Sequence, residues 1–170
     1  MPKRAESDKP GGKPFRKETE TMEAIFKSLK QTTNRLNTTA DAANDLIRLA
    51  NERLASIGAG VAYASSNLRL KEDVTSRFDE AESREVEAGC EVAVLAYDKI
   101  NGTWQLGIEL QSYVTADADS YNDYDLIRTS HIPLLSVERE MRIRAASWLP
   151  KFLREYTQYL NGLADKLNHE

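Results

Sequence analysis

The sequence predicts an α+β protein: an antiparallel sheet of three to four strands built on a central β-hairpin, covered by a long N-terminal helix, or helix pair, and a kinked C-terminal helix. Three observations predict it. Asn101-Gly102 separates two β-compatible runs, Cys90 to Ile100 and Thr103 to Val114. Small and apolar residues recur at helical spacing from Met22 to Leu54, and a second such face runs from Met141 to Leu167. A chain of 170 residues with 41% hydrophobic and 29% charged residues has the composition of a folded domain. The expected division is a disordered basic arm, residues 1–17, and a single α+β domain, residues 18–170.

The arm holds Pro2, Pro10, Gly11, Gly12 and Pro14 and almost nothing apolar. Its six bases, Lys3, Arg4, Lys9, Lys13, Arg16 and Lys17, less Glu6 and Asp8, give it +4, so the rest of this −4 chain carries −8. These bases are the candidate nucleic-acid contacts; a solubilising tail is the ordinary alternative.

Met22, Leu29, Leu36, Ala43 and Ala50 form one heptad-spaced row, flanked by Ile25/Phe26, Leu46/Ile47 and Leu54. The row thins at Thr32, Thr33, Thr39 and Ala40, where a self-sufficient coiled coil would carry Leu or Ile. Thr38 with Asp41 resembles a capping signal for a second helix, whereas the unbroken seven-residue spacing favours one. Gly58 and Gly60 close the helix after Ile57. At ~1.5 Å per residue such a helix outruns any strand of the expected sheet.

Val61 to Ala64 reads as a short edge strand. Ser65 to Ala88 is polar, and Val74, Phe78 and Ala81 at i, i+4 and i+7 predict a short amphipathic helix there. The Asn-Gly turn then fixes the hairpin register, with Ile100 facing Thr103, Lys99 facing Trp104, Tyr97 facing Leu106, Leu95 facing Ile108 and Ala93 facing Leu110. One sheet face is apolar; the other, with Val94, Asp98 and Glu109, is mixed. An acidic loop from Thr115 to Asp125 leads to a third strand over Leu126 to Ser130. Pro133 stops further pairing. Ser136 is placed to cap a helix from Val137, with Pro150 kinking or restarting it.

The chemistry-bearing residues are sparse. His131 and His169 are the only histidines and Cys90 the only cysteine, so no metal site or cofactor is expected and no intramolecular disulfide can form. A lone cysteine fits a reducing cytoplasm, and no apolar run reaches the ~18 residues of a membrane span. A Cys90/His131 nucleophile pair is outweighed by a small buried cysteine. Asp117, Asp119, Asp123 and Asp125 could offer oxygens to calcium, but Tyr121, Asn122 and Arg128 break the EF-hand pattern, so a solvated loop is the better account. Glu109, among apolar neighbours, is a candidate for acid/base work. Arg139, Arg142 and Arg144 form a second small basic cluster.

The leading functional expectation is a non-enzymatic protein-interaction module, an accessory or regulatory subunit that binds another protein or self-associates as a homo-oligomer. Its contact residues are read as Leu29, Leu36, Leu46 and Ile47 on the first helix, with Trp148, Phe152 and Tyr156 on the last. The alternatives are a nucleic-acid-associated factor using the arm, and a ligand-binding or enzymatic domain with a pocket between sheet and helices, served by Glu109 and His131.

Overall fold

The computed structural model describes residues 13–80, 83–115 and 124–168. In chain order these form helix α1 (Lys13–Ile57), strands β1 (Tyr63–Asp79), β2 (Arg84–Ile100), β3 (Thr103–Thr115) and β4 (Tyr124–Pro133), a 3-10 turn (Leu134–Ser136) and helix α2 (Arg139–Asn168). The strands make one antiparallel sheet in the order β1-β2-β3-β4. The fold class is α+β as expected. The backbone divides into two units, Met1–Thr39 and Ala40–Glu170, with the division inside α1.

The sequence from Lys13 to Ile57 makes one helix, because Thr38 and Thr39 do not cap a second one. Their hydroxyls donate back to the carbonyls of Asn34 and Arg35, four residues earlier, at 3.0 Å each, which satisfies the side chains without interrupting the backbone ladder. The helix begins at Lys13, so Lys13, Arg16 and Lys17 belong to it; Lys3, Arg4 and Lys9 lie outside the described residues. It ends at Gly58, whose φ of +72° is a conformation that glycine adopts without a Cβ penalty.

The amphipathic helix expected around Val74 and Phe78 is instead the outer half of β1, and Ala81 lies outside the described residues. The alternation that marks it starts upstream, at Asn67-Leu68-Arg69-Leu70-Lys71, where Leu68 and Leu70 are buried and their neighbours exposed. A pronounced bulge hides that pattern: between Ala64 and Arg69 β1 advances five positions while its partner moves only from Ala96 to Val94. Ser65, in the bulge, is fully buried and donates to Glu155 of α2 at 2.5 Å.

The β2–β3 hairpin has the register set by Asn101-Gly102, from Ile100 opposite Thr103 to Ala93 opposite Leu110. Both turn residues have positive φ, +53° and +83°, as a type I′ turn requires. On the sheet face under the helices, Leu95, Tyr97, Leu106 and Ile108 pack with Ile47 and Leu54 of α1 and Ala145, Leu149, Phe152 and Tyr156 of α2. Asn51 of α1 enters this layer and accepts the backbone N–H of Leu106 at 2.7 Å; β4 has ended one register position away, at Pro133 opposite Gly107.

The mixed face is partly closed by the sheet itself. Val92, Val94, Ala96 and Ile100 are buried, and β2 approaches β4 across β3. Gly107, opposite Ala96, permits this: a Cβ there would lie 2.3 Å from Ile100 Cδ1 and 2.6 Å from the Ile132 carbonyl oxygen.

The last helix starts two residues later than expected. Ser136 closes the 3-10 turn instead of capping, and the first helical bond runs from Arg142 N–H to Glu138 O at 3.1 Å. It passes through Pro150 as one helix without a restart. Arg142 donates to the Val137 carbonyl at 2.6 Å and Arg144 to the Leu70 carbonyl at 2.8 Å, so two members of the expected basic cluster are engaged in holding the fold.

Candidate interaction surface

The apolar row of α1 has two fates. From Ala40 onward it is core, with Ala40, Ala43, Ile47 and Leu54 buried. Residues 21–39 are exposed throughout, and there the row carries large side chains: Met22, Ile25, Phe26, Leu29 and Leu36 are 43% to 60% exposed. Side chains three, four and seven positions apart share a helical face, so these five form one apolar stripe. Leu46 and Leu49 are also exposed.

Of the expected contact residues, Leu29, Leu36 and Leu46 are exposed, and Trp148 is half-buried against the core. Ile47, Phe152 and Tyr156 are a correction. All three are buried in the chain's own core, because the aromatic stripe of α2 packs against strand aromatics and is not free for an outside partner. Tyr63 lies 5.6 Å from both Phe152 and Tyr156 and 5.1 Å from Tyr159, centroid to centroid, and Tyr97 stands 5.6 Å from Tyr156. Burial pushes the phenols of Tyr97 and Tyr156 up, and Tyr156 OH donates to the carbonyls of Val61 and Ala59 at 2.7 and 3.1 Å.

A polar network crosses the mixed face. Tyr113 OH donates to Gln111 Oε1 at 2.7 Å, and Gln111 Nε2 donates to Glu109 Oε1 at 2.7 Å. His131 Nε2 then lies 3.2 Å from both Glu109 Oε2 and Asp98 Oδ2. Alternate β3 positions share a face, and Glu109 pairs with His131 in the β3–β4 ladder. Glu109 is therefore hydrogen-bonded instead of isolated among apolar neighbours. His131 Nε2 thus stands within hydrogen-bonding reach of two carboxylates, an arrangement that positions the ring.

A cleft of about 340 Å³ opens between the sheet and the start of α2, floored by Ile108, Leu110 and Ile132 and rimmed by Lys71, Glu91 and Glu138. Glu109 and His131 are on the other sheet face and do not line it. Among the described residues no cluster of His, Cys, Asp and Glu is arranged to hold a metal ion. Asp117, Asp119, Asp123 and His169 lie outside the described residues, and only the backbone of Asp125 is described.

Cys90 pairs with Tyr113, four positions along β3 from Glu109, so the ladder does not assemble a Cys90/His131 pair. Burial pushes its thiol up, with the carboxylates of Glu72 and Glu87 adding to the effect. The thiolate is the reactive form, so a raised thiol holds less of it at neutral pH. Cys90 is expected to react with iodoacetamide more slowly than free glutathione at neutral pH. Alkylation as fast as that of glutathione, followed by mass spectrometry, would contradict it.

No family model, no curated protein and no solved structure matches this chain. Among the described residues no helix is long and apolar enough to cross a membrane.

Proposed function

We propose that the chain is a non-enzymatic protein-interaction module, an accessory or regulatory subunit whose docking element is the N-terminal part of α1. The observation that carries this reading is the exposed stripe of Met22, Ile25, Phe26, Leu29 and Leu36. Single exposed apolar residues are ordinary, but a contiguous stripe on one helix face invites a partner. An amphipathic helix offering its apolar side at i, i+3, i+4 and i+7 is a recurrent way to engage another protein.

The reading is tested with a photoreactive phenylalanine analogue at position 26, irradiated in the cells that make the protein. A discrete polypeptide adduct is expected from position 26 and none from exposed Lys151 on α2. Absence of any adduct at position 26 would sink it.

A further inference from the structure

We propose that the cleft at the start of α2 binds a small organic cation with an apolar body, an alkyl- or arylalkylammonium, held by Glu91 and Glu138 over the floor of Ile108, Leu110 and Ile132. The site shares no residue with the α1 stripe and stands apart from the docking reading. Floor and rim select different parts of the ligand. Ile108 and Val137 are buried, 2% and 7% exposed, and Leu110, Ile132 and Met141 widen the apolar surface around them. A cleft of about 340 Å³ falls at the lower end of small-ligand sites, roughly 300–1,000 Å³, which are mostly apolar with a few polar groups fixing orientation.

The rim is short of positive charge. Among the described residues that line the cleft, Lys71 is the only base against three acids, Asp73, Glu91 and Glu138, a net charge of −2. Lys71 Nζ is committed to Asp73 Oδ2 at 2.6 Å. That hydrogen bond and its charge push the ammonium up, and Glu138 and Glu91 add to the effect, so both act on the same single cation. The ladder sharpens the imbalance: Asp73 pairs with Glu91 across β1 and β2, and like charges directly opposite each other repel. Arg142 and Arg144 do not relieve it, because they donate to the carbonyls of Val137 and Leu70 and do not line the cleft. A second cation at Glu91 and Glu138 completes the neutralisation, and an apolar body attached to it covers Leu110 and Ile132. The occupant is a free small molecule instead of a peptide: β1 is bulged at Arg69/Lys71 and Thr75/Ser76, so it offers a peptide backbone no regular edge to lie along.

Titration of the isotope-labelled full chain with phenylbutylamine, followed by amide chemical shifts, tests this. The amides of Leu110, Ile132 and Met141 are expected to shift saturably with a dissociation constant on the order of 1 mM, usual for so small a ligand. Phenylbutanol, which has the same body and no charge, should bind at least about fivefold more weakly, and added salt should weaken the amine alone. Glu91→Gln and Glu138→Gln are each expected to weaken the amine about two- to fivefold and to leave the alcohol unchanged. Lys71→Gln is expected to bind the amine more tightly, because it releases Asp73 to the ligand; a purely structural role for Lys71 gives no such gain. Equal binding of amine and alcohol, tighter binding of phenylbutyrate, or no shift at these amides by about 10 mM amine overturns the proposal. A capped peptide of alternating leucine and lysine that shifts the same amides at lower concentration than the amine overturns the small-molecule occupant. A missing cross-link at position 26 bears on none of these outcomes.

Discussion

Replacing Phe152 by alanine is expected to cost about 3–5 kcal/mol, the range for deleting a buried aromatic ring. Phe152 is fully buried, 5.6 Å from Tyr63 and 6.2 Å from Tyr156 by ring centroid. Its removal leaves a cavity where α2 meets β1 and strips ring contacts from both tyrosines. Domains of this kind are stable by only about 5–15 kcal/mol, so this one side chain carries a large share. Thermal denaturation should show the midpoint falling by roughly 10 °C. The control is Leu29→Ala on the exposed stripe, expected to stay within about 0.5 kcal/mol of wild type. Equal effects at the two positions would mean that Phe152 is not core.

Gly107→Ala is expected to destabilise by about 1–3 kcal/mol or more, the cost of overpacking. The new methyl would meet two obstacles of different kinds, the tip of Ile100 at 2.3 Å and the Ile132 carbonyl oxygen at 2.6 Å. The first is a side chain and can be shortened; the second is backbone and cannot. Adding Ile100→Val to Gly107→Ala should therefore restore only part of the loss, and amide exchange at the Gly107–Pro133 end of the β3–β4 ladder should accelerate. Full rescue by Ile100→Val would show that β4 does not press on Gly107.

The parts of the fold legible in the sequence are those whose information is local. Asn101-Gly102 specifies a two-residue turn and with it every pairing of β2 and β3. β1 was hidden because its alternation is brief, Leu68 and Leu70 only, and the three residues beyond its partner's advance between Ala64 and Arg69 shift its phase. The triad of Asp98, Glu109 and His131 depends on β3 meeting β4 in one register across residues 116–123, and no two-residue turn fixes that pairing. The aromatic row of α2 has the same period whether it meets its own sheet or another protein. Periodicity reports that a face must be covered, not by what. The same ambiguity let Ile47 be read together with Leu46, although neighbouring helix positions point about 100° apart and only Ile47 is buried.

The grip of Arg144 on the Leu70 carbonyl has a consequence for how the protein keeps from aggregating. An outermost strand exposes unpaired backbone groups that can template further strands, and proteins blunt such edges with bulges, charges and prolines. β1 has its carbonyl at Leu70 occupied by a guanidinium and its line broken at Ala64/Arg69, Arg69/Lys71 and Thr75/Ser76. The opposite outer strand, β4, is offset between Ser112 and Tyr113 of its neighbour and finishes in Pro133. Both rims of the sheet are thus poor templates for open-ended polymerisation. A molecule blunted in this way can leave the apolar stripe of α1 in water without also offering a sheet edge on which fibres could grow.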